Sequence, residues 1–171
     1  MTLTNKGLHI IPFFILLIIS GCTVKYSFTG ASISPDVKTV SIDYFQNQAQ
    51  IVQPTLSQTF TEELKNTFIT QTNLEMTEGN GDLQFSGAIT GYNTRPMAIQ
   101  GDEVAALNRL TVTVKVKFIN IKDEKQNFDK TFSAFADYDS NENLESVEEQ
   151  LIAEIVQQLT EDIFNAAVAN W

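Results

Sequence analysis

The sequence predicts an α+β fold: a two-layer sandwich with a mainly antiparallel four-stranded sheet and two helices on one face, in the order β-α-β-β-β-α. Three observations predict it. Several segments, most clearly Arg109 to Phe118, alternate apolar and polar side chains with the period of two that a half-buried strand requires. Two others, around Phe60 and Ile155, each carry a single apolar stripe at helical spacing. The chain has 171 residues, 43% hydrophobic and 19% charged, which suits one domain with one core. Strands that alternate bury one face only, so both helices belong on that face and the other stays polar or meets a partner.

At the start of the chain, Lys6 precedes an apolar run from Ile10 to Ile19, followed by Ser20, Gly21 and Cys22. This pattern reads as a secretory signal over residues 1–21, since the run is well short of the roughly 20 residues that a spanning helix needs. Ile19-Ser20-Gly21-Cys22 also looks like a bacterial lipobox. There the Cys thiol takes a diacylglycerol, and the amine freed by cleavage is acylated. The plainer alternative is an ordinary signal with a stray Cys. Two or three acyl chains on Cys22 would hold the protein to a membrane stably, where one would not. Residues 22–37, polar and small with Gly30 and Pro35, are expected to form a tether, leaving 38–171 as the folded domain.

Within that domain, Lys38 to Tyr44 sets Val40, Ile42 and Tyr44 against Thr39, Ser41 and Asp43, a half-buried strand. Pro54 suits a first helical turn, and Leu56, Phe60, Leu64 and Phe68 then recur every four residues, so a helix is expected from Pro54 to Thr70. Leu74 to Thr77 is a possible extra short strand. Gly79-Asn80-Gly81 marks a turn into a strand from Asp82 to Tyr92, with Leu83, Phe85, Gly87, Ile89 and Gly91 on one side. Its two glycines suggest a strand that bends or lies close under a helix. Thr94 to Asp102 is expected to be a loop. The polar stretch Lys122 to Asn127 should turn the Arg109 strand back as a hairpin into Phe128 to Tyr138. A final helix follows, capped by the box Ser146-Val-Glu-Glu149 or by Asn143, with its stripe through Val147, Leu151, Ile155, Leu159, Ile163 and Ala167, widened by Ile152, Val156 and Phe164. It would run about 38 Å at roughly 1.5 Å per residue.

Charge narrows the function. With 11 basic against 21 acidic side chains, a formal charge of -10 and a pI near 4.4, the chain is a poor match for nucleic acid, whose affinity comes chiefly from Lys and Arg. One His and one Cys leave no zinc set and no disulfide. His9 lies in the expected signal, so a Ser-His or Cys-His pair is not expected in the processed protein. Adjacent acids such as Glu148-Glu149 are not the converging carboxylates a glycosidase requires, and no catalytic constellation stands out. The charges are also uneven. Residues 109–130 carry a local +3, whereas residues 137–162 hold nine acids and no base. The bland reading of the basic stretch is a solubilising strand face whose lysines discourage edge pairing. The sharper reading is a contact patch for an anionic phosphate or sugar, with Lys115 and Lys117 on the strand and Tyr92 and Arg95 from the neighbouring loop.

Several pieces of the chain also stand in a familiar order. They are the lipobox, Tyr26-Ser-Phe-Thr-Gly30, Val40-Ser-Ile-Asp-Tyr-Phe-Gln-Asn47, Phe60-Thr-Glu-Glu-Leu64, Asp82 to Tyr92, Asn108-Arg-Leu-Thr-Val112, Asp162-Ile-Phe-Asn165 and Asn170-Trp171. Together they resemble the LptE-like lipopolysaccharide-assembly lipoproteins in their Bacteroidetes form. The resemblance implies a non-enzymatic lipoprotein of the outer membrane with a lipidated N-terminus on Cys22 and no other cofactor. It would sit within the lumen of the LptD-type β-barrel, assist its assembly, plug it and touch lipopolysaccharide on its way to the outer leaflet. Basic strand-loop residues make that contact in the family, and Arg95, Lys115 and Lys117 are the nearest equivalents by region. Thr23-Val-Lys-Tyr26 lacks an acidic surface-export cluster, which implies a periplasm-facing anchor. The alternative is a free-standing periplasmic lipoprotein that binds an anionic glycan or lipid.

Overall fold

Six strands in one mixed sheet, with two helices, make up the computed structural model, which describes residues 33–97 and 107–168. The elements are β1 (Thr39–Ile42), β2 (Gln46–Asn47), α1 (Leu56–Gln71), β3 (Glu75–Met76), β4 (Leu83–Met97), β5 (Leu107–Asn120), a 3-10 turn (Glu124–Gln126), β6 (Phe128–Asp139) and α2 (Leu144–Val168). The sheet order is β3-β1-β4-β5-β6, with β2 also pairing β4. The expected four-stranded, mainly antiparallel sheet is therefore corrected. β1 runs parallel to both β3 and β4, and β2 is parallel to β4, while β4, β5 and β6 form an antiparallel meander. The physical reason lies in α1, which carries the chain back along the sheet so that β3 enters in the same direction as β1. Strands of two residues have no period to read, so β2 left no signal and β3 only a faint one.

β1 and β2 lie along one side of β4 and are separated by a break. Backbone bonds from Asp43 to the Phe85 carbonyl (2.9 Å) and from Gln48 to the Ile89 carbonyl (2.8 Å) flank it. Between them Phe45 turns inward and is fully buried, its N–H donating to Thr61 Oγ1 of α1 at 3.1 Å and its ring 5.1 Å from Phe60. Gly87 of β4 makes room. A Cβ there would come within 2.7 Å of the Phe45 ring and 2.0 Å of the Lys115 carbonyl oxygen. The glycine signal thus marks a close approach to a side chain from the strand edge.

The helices start where local chemistry can satisfy their first N–H groups. Gln53 Oε1 accepts from the N–H groups of Thr55 (2.8 Å) and Leu56 (2.7 Å), so α1 begins two residues after Pro54. At the other end Thr72 Oγ1 donates to the Phe68 carbonyl at 2.6 Å. α2 begins at Leu144 because Asn143 Oδ1 accepts from the Glu145 N–H at 3.3 Å; Ser146 lies inside the helix and donates to the Asn143 carbonyl at 2.6 Å. Asn143 is the cap, and the box at Ser146 is not used. Both expected stripes are buried against one face of the sheet, Ile152, Val156 and Phe164 included, except that Val147 in the first turns of α2 is only partly buried.

β4 contains a further adjustment. Its register with β5 shifts between Ile89 and Gly91, leaving Thr90 as the extra residue of a bulge. Beyond the bulge the pleat inverts: Gly91 faces the open side and Tyr92 turns under the helices. The phenol of Tyr92 donates to the Glu148 carboxylate of α2. Burial and that carboxylate push the phenol above its ordinary pKa. β4 then continues to Met97, so Thr94 to Met97 is strand, not loop; residues 98–102 lie outside the described residues.

One half-buried carboxylate ties the sheet's two halves together. Asp82, just ahead of β4, accepts from the N–H groups of Lys38 (2.8 Å) and Thr39 (3.1 Å) and pairs with Lys122 of the β5–β6 turn at 3.1 Å. The Lys38 N–H and then the Lys122 side chain hold its pKa at about 2. Such a depressed carboxylate stabilises the fold at pH above its unfolded value near 4, and the contribution fades as pH falls from there through 2. In thermal melts, Asp82→Asn should lower Tm at pH 7, and the gap to wild type should close between about pH 4 and 2. A gap independent of pH would mean that charge is not what Asp82 contributes. Gly87→Ala should cost about 3 kcal/mol in denaturant titrations by overpacking the Phe45 seat, and an unchanged midpoint would place Phe45 elsewhere.

Candidate functional site

The open face of the sheet is the surface that the two helices leave uncovered. Its side chains come in rows set by the β4–β5–β6 register. Arg95, Arg109 and Asp137 form one row, and Asn93, Thr111 and Phe135 form the next. Gly91, Thr113 and Ser133 follow, with Thr113 Oγ1 and Ser133 Oγ 3.1 Å apart. Lys115 lies in the row of Ala88 and Thr131, and Lys117 in that of Ser86 and Asp129. The middle of the face is thus hydroxyl-rich, with cations towards both ends.

Arg95, Lys115 and Lys117 all stand on this face, but not together. Arg95 shares a row with Arg109, six residues along β5 from Lys115, or about 20 Å at roughly 3.4 Å per residue. Lys115 pairs with Asp129 at 3.4 Å, and both partners are more than half exposed, so the pair contributes little to stability. Lys117 has no ion pair with any described residue. The local +3 is dispersed further. Lys122 serves Asp82, and Lys130 points to the helix side with its ammonium 5.1 Å over the Phe128 ring. Tyr92 is withdrawn from the proposed stacking pair with Arg95, because Thr94 to Met97 continue the strand and residues three apart in a strand lie on opposite faces.

A cluster that residue-by-residue reasoning missed lies at the Arg95 end. Arg109 donates through Nε and Nη2 to the two carboxylate oxygens of Asp137, both at 2.7 Å. Its guanidinium carbon lies 3.5 Å from the centre of the Phe135 ring, which is 45% exposed. The bidentate contact raises the Arg109 pKa and lowers that of Asp137. The result is a flat, nearly neutral platform. Its signal was present in the hairpin: the turn at Lys122 to Asn127 sets a register that places Arg109 opposite Asp137.

On the helix side, a cleft of about 680 Å³ lies between α1 and the start of α2, lined by Gln58, Glu62, Glu145, Glu148 and Glu149. It is acidic and amide-rich. Among the described residues no group of three His, Cys, Asp or Glu side chains is placed to hold a metal ion. No helix among them is long and apolar enough to cross a membrane.

The fold recurs at low identity in solved structures. A minor lipoprotein from Acinetobacter baumannii matches at 16% identity and a TM-score of 0.50, covering 75% of this chain and 91% of the other. A hypothetical protein from Chlamydia trachomatis matches at 9% identity and 0.53, covering 78% and 99%. A Helicobacter pylori protein described as a neuraminyllactose-binding hemagglutinin homolog matches at 8% and 0.51, covering 82% and 88%. These likenesses concern the fold alone. No curated protein matches the chain in sequence. The family model described as LptE, lipopolysaccharide-assembly, matches residues 37–167, which span nearly all of the described sandwich. Members of that family are non-catalytic, lipid-anchored outer-membrane lipoproteins that help assemble and plug the lipopolysaccharide translocon. This chain belongs to the LptE lipopolysaccharide-assembly family.

Proposed function

We propose that the protein forms a one-to-one complex with an LptD-type β-barrel, is held to the membrane by acyl chains on Cys22, and meets lipopolysaccharide through cations of the open sheet face. The family match over residues 37–167 carries this reading. Two features of the fold support it. The sandwich covers one sheet face and leaves the other rich in hydroxyls, a surface suited to a wet interface in which threonines and serines exchange hydrogen bonds with a polar wall. The two groups of cations, Lys115 with Lys117 and Arg95 beside the Asp137-paired Arg109, lie about 20 Å apart by roughly 3.4 Å per residue. A large anion with several phosphates can engage both ends at once, whereas a small one cannot.

The domain division follows the same reading: a signal over residues 1–21, a lipidated tether over 22–37 and the sandwich from 38 to 171. Cys22 lies outside the described residues. The end of the tether already belongs to the packing, since Val37 is buried and Ile33 lies against the core. The lipid would therefore connect to the sheet through a short lead of polar chain.

An affinity pull-down of the tagged protein from detergent-solubilised outer membranes should bring down a barrel in near one-to-one amount. Recovery of the lipoprotein alone, with other barrel complexes intact, would sink the reading. Reversing Lys115 and Lys117 together to Glu should weaken lipopolysaccharide binding about tenfold or more, as expected for lost charge-assisted contacts, and should leave Tm nearly unchanged because both side chains are exposed. Undiminished binding would remove them from the contact. Cys22→Ser should abolish incorporation of labelled fatty acid and leave the signal uncleaved. Persistent acylation would overturn the anchor.

A further inference from the structure

The two edges of the sheet are built differently. At one edge the strands are only two residues long, which leaves little backbone to pair. At the other lies β6, twelve residues and about 40 Å at roughly 3.4 Å per residue, and no described residue pairs with its outer side. β6 contains no proline, and its register with β5 is unbroken from Phe118↔Phe128 to Leu107↔Asp139. Its one lysine, Lys130, lies over Phe128. Of the devices that usually blunt a free strand edge, shortness, proline and a bulge are absent from β6, and charge alone is present.

The direction of the unpaired backbone groups follows from two contacts. The Val112 carbonyl accepts from Ser133 Oγ at 3.3 Å, so it points to β6, whereas the Lys115 carbonyl crowds Gly87 and points to β4. Even-numbered residues of β5 therefore bond to β6, and their partners in β6 are also even-numbered. The N–H and C=O groups of Thr131, Ser133 and Phe135 consequently face outward from the sheet edge. Aromatic surface flanks that row on both sides. Phe128 and Phe132 are half-buried on the helix side, and Phe135 is exposed on the open side.

We propose that the outer edge of β6 takes an extended segment of the barrel partner as an added strand. This rests on the barrel reading above. The charge of the edge selects the occupant's chemistry. Three of the six open-face side chains of β6, Asp129, Asp137 and Asp139, are carboxylates and none is basic; Arg109 occupies Asp137, so an occupant meets the charge of Asp139 and of Asp129, whose pair with Lys115 is exposed. An occupant with Lys or Arg on that side is complementary. A second copy fits less well, because neither of the two fullest antiparallel registers of β6 with itself brings a base to these carboxylates from the other β6: one opposes Asp129 to the Arg109-paired Asp137, and the other opposes Asp129 to Asp139, where like charges directly opposite are destabilising. Strands of a closed barrel wall have no free edge to offer. The segment must therefore come from a loop or terminal extension of the barrel that hangs free of the wall.

The test places a photo-crosslinking amino acid at position 131 or 135 of the full lipoprotein in cells and maps the products by mass spectrometry. Both positions should crosslink to one basic segment of the barrel, at sites a few residues apart. Thr131→Pro removes an outward N–H that β5 does not use, so the fold and Tm should hold while barrel recovery falls tenfold or more. If that variant is unstable, the crosslinks in the otherwise native chain decide alone. Crosslinks to residues 1–32, 98–106 or 169–171 of the same chain, to a second copy, to a protein other than the barrel, or to none would overturn the proposal. So would normal barrel recovery with a folded Thr131→Pro. Wild type that brings down a barrel while crosslinking elsewhere sinks the edge proposal alone, whereas wild type without any barrel sinks the barrel reading.

Discussion

A run of aromatic rings holds the two layers together, and the rest of the structure is arranged around it. Phe164 of α2 meets Phe68 of α1 at 5.0 Å, Phe68 meets Phe85 of β4 at 4.8 Å, and the contacts continue through Phe118 of β5 and Phe128 to Phe132 of β6. Each ring brings a large apolar area and a preferred edge or tilted geometry, so the series fixes both how far the helices stand from the sheet and where along it they lie. Because this packing occupies one sheet face only, the other face is left to hydroxyls and charges. The candidate contact surface exists as a by-product of one-sided burial.

Long, regular elements were legible in the sequence, and short or irregular ones were not. β5, β6 and the stripes of both helices followed from periodicity because burial of one face demands it. The parallel half of the sheet escaped notice because alternation says which residues face inward but not which strand lies alongside. Two-residue strands carry no pattern, and the Phe45 insertion depends on Gly87, forty-two residues away in the chain. A side-chain cap from Gln53 is also outside the usual Ser, Thr, Asp and Asn preferences.

The site was legible in part. Lys115 and Lys117 faced outward as alternation required, yet their setting depended on β6, which supplies Asp129. The Tyr92 and Arg95 pair failed because the expected loop is strand, where residues three apart face opposite sides, and the bulge at Thr90 decides only which of the two faces the helices. Arg109, Asp137 and Phe135 are neighbours only across strands, so they surface once the hairpin is registered and not before. Cys22 is the reverse case. Its proposed role rests on the chemistry of a short motif, and no three-dimensional context enters.

The position of β1 has a consequence for how the chain is made. It is the first described strand after the proposed anchor, but it lies inside the sheet between β3 and β4, and its partner Leu83 comes forty-three residues after Val40. A chain delivered across a membrane N-terminus first exposes β1 before any of its neighbours exist. The meander of β4, β5 and β6 closes through nearby residues, whereas β1 waits for the longer loop, and such distant pairings form slowly. Order of emergence and order of assembly are therefore opposed. During that interval the acylated end is held at the bilayer while its strand is still unpaired, an interval in which a holding factor could act.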